Sequence, residues 1–354
     1  MIASEAGPKI DLTGLTEIGG DLTVEHNGQL TDFSSSTLET IGGSFTLKNL
    51  TALFNLGFTR LNEVGDIKWS TLTVLPELNF GTPGVTKAKS VVIADTVIKN
   101  IEGINVQSLE SMDINNNKRL TKFSTSIKNL SKTLSISQNG LNLQLEMPNL
   151  EWISEMTIAN VTTFSAPSLK TVNASMRFDS NYFESFSAPN LTDVQKGDIS
   201  FVSCPQLTNI TFAKLDKIGG GLTIANNTAL EEINGFGALT RVGGAVAFRG
   251  SFTDIQLPKL NDVVGAFEVA STENLDSACE KLTDELKGSA VQGSYSCTGD
   301  KQDANSNTSG ADGSSTGGSG SGNGDDDSAA VAIGLNVNTL FSLAALGAVF
   351  TAFL

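Results

Sequence analysis

Apolar residues recur along this chain in one repeated line, with successive spacings of +3, +4 and +2. The line occupies Leu15–Val24 and returns at Leu215–Ile224. It closes on an apolar–polar–apolar triplet, such as LTV or LTI, which has the period of two expected of a β-strand. Further copies, some of them looser, are Leu38–Leu47, Leu61–Trp69, Leu150–Ile158, Leu169–Phe178, Leu191–Phe201, Leu239–Phe248 and Leu260–Val269.

The last apolar residue of each predicted strand is a convenient marker residue. The markers are Val24, Leu47, Trp69, Ile93, Ile114, Ile136, Ile158, Phe178, Phe201, Ile224, Phe248 and Val269, and their steps are 20 to 24 residues. Self-similarity at such a period is typical of a solenoid, in which each repeat buries its apolar side against its neighbours. We therefore predict a mainly β chain, folded as a right-handed β-solenoid of about twelve rungs.

A second recurring position lies three residues after the marker. It holds Asn27, Asn117, Asn139, Asn181 and Asn227, and in one rung Cys204. A side chain that bonds the backbone of adjacent rungs at this point would keep buried amides satisfied. Leucine-rich repeats permit Asn or Cys here. Cys204 is accordingly interpreted as a buried member of a structural ladder, with a reactive thiol as the alternative.

Paired glycines precede several of the strands. They are Gly19-Gly20, Gly42-Gly43, Gly219-Gly220 and Gly243-Gly244. We expect them in turns that require a positive φ, which glycine adopts most easily. They lack the GxGxxG-to-helix context of a phosphate-binding loop.

Composition narrows the possible chemistry. Lys and Arg number 23 against 38 acidic residues, a net charge of −15, so nucleic acid is not a predicted partner. The one histidine is His26, so no Cys/His zinc site can be assembled, and a Ser-His-Asp triad would have to be built on that residue. A lone histidine in a polar loop is more often a surface residue, and no cofactor is predicted.

The segment after the last rung carries two of the three cysteines, Cys279 and Cys297, around a short helix-like stretch. A solenoid must cover its terminal core with an atypical cap. A disulfide across such a cap is expected in an oxidising compartment, and two free thiols are the alternative. The predicted repeat domain, including this cap, spans residues 9–298.

Two further segments follow. Residues 299–328 are rich in Ser, Gly and Asp and predict a flexible linker. Residues 329–354 form an apolar run with no basic residue behind it, which fits a glycosylphosphatidylinositol (GPI) attachment signal that is removed. Ser328 begins a suitable small triplet and is the predicted attachment site, with Asn323 as the alternative. A tail-anchored membrane protein is the competing interpretation.

The opening residues, MIASEAGPKIDLTG, contain neither the basic nor the apolar region of a signal peptide. A GPI signal is useful only to a chain that enters the secretory pathway. We therefore expect the natural protein to have an additional upstream segment that carries a signal peptide and an N-terminal cap.

Asn-x-Ser/Thr sequons are candidate N-glycosylation sites. They occur at Asn49, Asn129, Asn160, Asn173, Asn190, Asn209, Asn226 and Asn307. Their number is close to chance for a chain so rich in Asn, Ser and Thr, so the count is no evidence of secretion. In a secreted protein, most of them would lie in turns or at strand ends.

Taken together, the rungs IGGDLTV, IGGGLTIANNTAL and VGGAVAFRGSF, the Cys279–Cys297 segment, the Ser/Gly tail and the anchor signal resemble one fungal family. It comprises the GPI-anchored cell-surface glycoproteins of the Ecm/Sps2 type. Their repeats are related to the receptor L domains, a leucine-rich-repeat-like fold found in insulin- and EGF-receptor ectodomains. The resemblance covers nearly the whole chain.

The resemblance implies a non-enzymatic glycoprotein of cell-wall organisation and integrity, at the plasma membrane outer face or in the cell wall. Its implied partners are cell-wall polysaccharide or wall glycoproteins, and the plasma membrane through the GPI lipid. It supplies no catalytic residues.

Two other functions remain open at this stage. One is a wall-polysaccharide-remodelling enzyme on a β-solenoid, which needs two carboxylates roughly 5 to 9.5 Å apart. The predicted outward columns of the strands place no two acids on adjacent rungs, although loops could still supply them. The other is a receptor-like module for a secreted ligand.

Overall fold

The computed structural model of this protein describes residues 7–305. The predicted attachment sites Ser328 and Asn323, the sequon at Asn307 and the apolar tail lie outside the described residues. The solenoid's contacts continue past residue 298, because the Lys301 N–H donates to the Ser271 carbonyl at 2.9 Å and Ala304 is buried.

One parallel sheet of 20 strands, here the main sheet, runs through all the coils. Its long strands are β3 Leu22–Glu25, β5 Thr40–Lys48, β7 Glu63–Leu72, β9 Ser90–Thr96, β11 Ser111–Asn115, β13 Asn129–Ser137, β15 Trp152–Ala159, β18 Met176–Asp179, β21 Ile199–Val202, β24 Leu222–Ala225, β27 Val246–Gly250, β30 Phe267–Ser271 and β31 Tyr295–Thr298.

Two-residue strands precede many of these long strands and form the lead strip of the main sheet. They are β2 Glu17–Ile18, β10 Ser108–Leu109, β17 Thr171–Val172, β20 Asp193–Val194, β23 Lys217–Ile218, β26 Arg241–Val242 and β29 Asp262–Val263. In β5 and β13 the lead residues and the long strand are continuous, and the register shifts between them.

The markers predicted from the sequence are the register partners of one another. Val24 pairs with Leu47, and the pairing passes through every marker to Val269, in eleven parallel steps. The predicted β-solenoid is therefore confirmed, with about eleven turns. One more step pairs Val269 with Cys297, so the cap adds a strand to the sheet.

The opposite side of each coil carries short strands that form four smaller parallel sheets. These back strands are β1 Lys9–Asp11, β4 Asp32–Ser35, β6 Asn55–Phe58, β8 Asn79–Phe80, β12 Lys122–Ser124, β14 Gln144–Glu146, β16 Thr163–Ser165, β19 Ser185–Ser187, β22 Asn209–Thr211, β25 Glu232–Ile233 and β28 Asp254–Ile255.

The core fills the space between the main sheet and the back strands. Inward side chains of successive rungs stack directly, as Phe178 and Phe201 do with ring centroids 4.6 Å apart. Both rings are fully buried, and Phe186 of β19 packs against each of them from the back strands. Each rung therefore buries its apolar side against its neighbours, as in other solenoids.

The position three residues after each marker, here the ladder position, lies at or just after the end of the long strand. After the first coil, Asn side chains at this position bond the backbone of the preceding coil. The Asn227 amide donates to the Phe201 carbonyl at 3.0 Å, and its oxygen accepts from the Cys204 N–H at 2.9 Å. Asn181 makes the equivalent bonds to Ile158 and Val161. Each of these Asn side chains thus satisfies one carbonyl and one N–H of the preceding coil, which would otherwise be buried without partners.

The residue before the ladder position has a positive φ in ten successive coils, although it is never glycine in those coils. The residues are His26, Asn49, Thr71, Asp95, Asn116, Gln138, Asn160, Ser180, Ser203 and Asn226, with φ between 51° and 60°. Asn, Asp and His tolerate this region better than other non-glycine residues. They hold six of these ten positions, which gives His26 a conformational role.

The expectation of positive φ at the paired glycines is wrong. These residues have no left-handed φ; most of them instead meet the backbone of the preceding coil too closely for a Cβ. A Cβ on Gly219 would lie 2.1 Å from the Gln195 carbonyl oxygen, and one on Gly243 would lie 2.2 Å from that of Gly219. Gly19 and Gly20, in the first coil, meet nothing within 4 Å. Coil stacking, and not φ, therefore demands glycine in the pairs that follow the first coil.

Helix α1, Asp276–Leu286, covers the C-terminal end of the solenoid with Ala278, Leu282 and Leu286 buried. The predicted disulfide joins Cys279 of this helix to Cys297 of β31. Tyr295 continues the stack, with its ring 5.4 Å from that of Phe267. Within residues 7–305, no helix is long and apolar enough to cross a membrane.

Candidate binding surface

The main sheet presents two outward columns of side chains, which the register aligns as the sequence predicts. The middle column reads Thr23, Thr46, Lys68, Val92, Asp113, Ser135, Thr157, Arg177, Ser200, Thr223, Ala247 and Glu268. Within this column, no two acids are register neighbours. The surface is therefore mostly small and polar, with isolated charges.

Several outward carboxylates are engaged by cations from an adjacent coil. Glu268 accepts from Arg249 at 2.7 Å, and Glu155 pairs with Arg177. A hydrogen bond from Lys132 lowers the pKa of Glu110, and one from Lys170 lowers the pKa of Glu151. A glycosidase acid needs a pKa raised toward neutrality, so these two carboxyl groups are unsuited to that role.

The remaining chemically reactive candidates are placed as structural residues. His26 is exposed and occupies the left-handed turn, with a φ of 55°. Cys204 is fully buried, and burial raises the pKa of its thiol to about 11. Among residues 7–305, no three His, Cys, Asp or Glu side chains are grouped as metal ligands.

The seven described sequons are spread around the coil. Asn129, at the start of β13, and Asn209, on a back strand, are exposed. Asn49, Asn160 and Asn226 occupy the left-handed turn and are half-buried, as is Asn173 beside the lead strip. The Asn190 amide donates to the Pro167 carbonyl at 2.9 Å and its oxygen accepts from Lys214 at 2.8 Å. Glycosylation at each of these positions remains a prediction.

A cleft of about 470 Å³ opens on the lead strip. We call it the charged cleft; its lining residues are Thr192, Asp193, Val194, Gln195, Asp216, Lys217, Ile218, Gly219 and Arg241. Asp193, Lys217 and Arg241 come from three successive coils, because β20, β23 and β26 pair in register. The next register partner is Asp262.

The charged groups of the charged cleft are only partly satisfied by ion pairs and hydrogen bonds. Lys217 lies 3.6 Å from Asp216 and Arg241 pairs with Asp262, yet their side chains are 61% and 46% exposed. Asp193 accepts from the Thr192 hydroxyl at 3.0 Å through Oδ2. Its other oxygen, Oδ1, is shielded from solvent and has no hydrogen-bond partner. Buried polar atoms are normally bonded, so this oxygen requires an explanation.

Sequence reasoning missed the charged cleft. The three charged residues that pair in register, Asp193, Lys217 and Arg241, are separated by 24 positions each, so they form no local motif. The available signal was the lead-strip column, which could have been aligned from the marker spacing in the same way as the two outward columns.

Comparison with known proteins identifies relatives over most of the chain. It is 34% identical to Protein ecm33 of Aspergillus fumigatus over 312 residues, covering 86% of this chain and 77% of the relative. It is 31% identical to the Cell surface GPI-anchored protein of Arthroderma benhamiae, covering 84% and 76%.

Sporulation-specific protein 2 of Saccharomyces cerevisiae is 34% identical over 297 residues, or 83% of this chain. The chain spans 58% of that relative's length. No family model matches the chain, and no solved structure matches it. One of these relatives is named as a cell-surface GPI-anchored protein and one as a sporulation-specific protein, and none of the three carries an enzyme name. The chain belongs to the Ecm33/Sps2 family of fungal cell-surface proteins.

Proposed function

We propose that this chain is a non-enzymatic, GPI-anchored cell-surface glycoprotein that contributes to fungal cell-wall organisation and integrity. The observation that carries the proposal is its identity of 31% to 34%, over most of its length, to relatives named for the cell surface or for ecm33. It acts at the outer face of the plasma membrane or in the wall, and Ser328 is the proposed attachment residue.

The described surface is compatible with a binding role. Its middle outward column crosses twelve successive strands and is rich in Thr and Ser, which suits contact with an extended wall polymer or a wall glycoprotein. The resolved pKa shifts of the carboxyl groups Asp11, Glu110 and Glu151 are all downward, opposite to what a general acid needs.

Release from intact cells tests the proposal. Cells that express the chain are treated with phosphatidylinositol-specific phospholipase C or, separately, with β-glucanase, and supernatants are probed with an antibody raised to residues 9–298. We expect one of the enzymes to release a species that lacks the apolar tail. Full-length, unglycosylated protein confined to the soluble cytosolic fraction would contradict the proposal.

A further inference from the structure

We propose that the charged cleft is a saccharide-binding subsite that takes a hydroxyl-rich oligosaccharide segment. This inference rests on the proposed function, because it names a class of ligand for a wall-associated protein. It rests on two observations. The Asp193 Oδ1 atom is shielded from solvent and has no hydrogen-bond donor, and Lys217 and Arg241, its register neighbours on the next two coils, are exposed cations.

Asp193 supplies an acceptor oxygen that has no donor. Its Oδ1 is shielded from solvent without a hydrogen-bond donor, whereas Oδ2 is held by Thr192. A buried acceptor that lacks a donor loses the free energy of its hydration. A ligand hydroxyl that donates to Oδ1 would restore this bond. The proposal requires a neighbouring side chain to shift so that this hydroxyl can reach Oδ1. We propose that this side chain is Lys217, the exposed register neighbour on the next coil.

The two basic side chains of the cleft supply hydrogen-bond donors. Lys217 and Arg241 are register neighbours, so their backbones lie about 4.8 Å apart. Each contacts one carboxylate, and both retain exposed N–H groups that can donate to ligand oxygens. The cleft therefore offers an acceptor and donors in a row along the solenoid.

The charge balance selects among ligand classes. Three carboxylates, Asp193, Asp216 and Asp262, accompany two cations, so a free anion meets a net negative surrounding. A metal or ammonium cation would be repelled by Lys217 and Arg241. An apolar ligand would remove water from all of these groups without replacing its hydrogen bonds. A neutral ligand that both donates and accepts hydrogen bonds satisfies the row, and carbohydrate hydroxyls do so.

The saccharide could come from the wall or from the protein itself. The Lys196 N–H donates to the Asn173 carbonyl at 3.0 Å, and Gln195 of the cleft is the residue before Lys196, so this sequon lies beside the cleft. Asn190 lies two residues before Thr192. A glycan on either residue starts close enough to be a resident ligand.

Binding measurements on the full-length protein test the proposal. The probes are soluble β-1,3-glucan and α-mannan oligosaccharides, titrated by calorimetry, with inorganic phosphate as an anion probe. We expect one oligosaccharide class to bind, and Asp193→Ala and Lys217→Gln each to weaken its affinity by about tenfold or more. Lys87→Gln is the matched control, because Lys87 is an exposed lysine, ion-paired with Glu63, on a coil that does not line the cleft. The affinity of this variant should stay within about twofold.

A second arm separates the two sources. If the protein's own glycan occupies the cleft, the glycosylated wild type will not bind the probes, but the Asn173→Gln/Asn190→Gln variant will, and Asp193→Ala will abolish that gain. If wall polymer is the ligand, wild type and sequon variant will bind alike. Thermal unfolding of each variant establishes that it is folded.

Three results would overturn the inference: no oligosaccharide binding by either form, equal affinity of the cleft variants and wild type, or binding of phosphate alone. None of them bears on surface attachment, which the release experiment measures separately. Loss of attachment, in turn, leaves the calorimetric result unaffected.

Discussion

At the scale of the residue, the turn after each long strand is set by backbone conformation. Ten successive coils place a non-glycine residue at a φ between 51° and 60°, and the side chain that follows is buried in every one of them. Asn, Asp and His tolerate this conformation and hold six of the ten positions. It is costly for β-branched side chains, of which Thr71 is the one example among the ten. The turn therefore restricts residue types at a position that is partly exposed and would look unconstrained from burial alone.

Ser203 tests this restriction, because φ is 57° there. We expect Ser203→Val to lower the free energy of unfolding by about 1 to 2 kcal/mol, since a left-handed conformation is costly for a β-branched residue. Ser200, three residues earlier in strand β21, is the control. Ser200→Val should change stability by less than about 0.5 kcal/mol, because β-branched residues suit strands. Chemical denaturation measures both, and equal effects would contradict the account.

The buried thiol of Cys204 should make the free energy of unfolding depend on pH. Burial raises the pKa of its thiol from 9.0 to about 11. Because the folded pKa is the higher one, the stability it confers is complete below about pH 9 and is lost as the pH rises toward 11. The difference in unfolding free energy between wild type and Cys204→Ala should shrink across that window. The folded protein should also resist iodoacetamide at pH 8; rapid alkylation without unfolding would contradict burial of the thiol.

At the scale of the element, each coil is completed by its successor. An Asn of one coil bonds the carbonyl and the N–H of the coil before it, and the paired glycines allow the backbones of the two coils to touch. The glycines and the later ladder residues therefore act between coils. Asn27, in the first coil, instead accepts from the N–H groups of Gln29 and Leu30 in its own turn. The terminal coil lacks a successor, and helix α1 and β31 take that place.

Asn227→Ala removes one ladder step. The Phe201 carbonyl and the Cys204 N–H lose their partners inside the turn, and we expect a loss of about 2 to 4 kcal/mol. Asn234 provides the control, since its amide bonds only an exposed Glu232 side chain. Asn234→Ala should change the unfolding free energy by less than about 0.5 kcal/mol. A cost for Asn227→Ala no larger than that would show that the ladder is not structural.

The cap disulfide encloses a loop with a sequence separation of 18. Replacement of Cys279 and Cys297 by alanine should lower stability by about 3 kcal/mol, because cross-linking a loop of this size restricts the unfolded chain. Differential scanning calorimetry of the double variant measures the loss. An unchanged Tm would mean that α1 holds the cap without the covalent link.

At the scale of the whole molecule, much of the fold was predictable because each coil repeats one line of apolar residues. The marker spacing predicted the register of the twelve long strands from β3 to β30, but not that the cap adds β31 to the sheet. The reason for the paired glycines could not be read in the same way, since Gly219 is required by the Gln195 carbonyl of another coil. The charged cleft escaped for a related reason. Its side chains meet only when coils 24 residues apart are stacked, and no local motif records their proximity.

We propose that the assembled solenoid binds wall material without cleaving it. The most direct measurement incubates the full-length protein with purified fungal wall polysaccharide and records both the protein retained and the reducing sugar released. The account predicts saturable retention with no reducing sugar above the protein-free blank. Reducing ends that increase with protein and time, or a protein that remains entirely in solution, would contradict it.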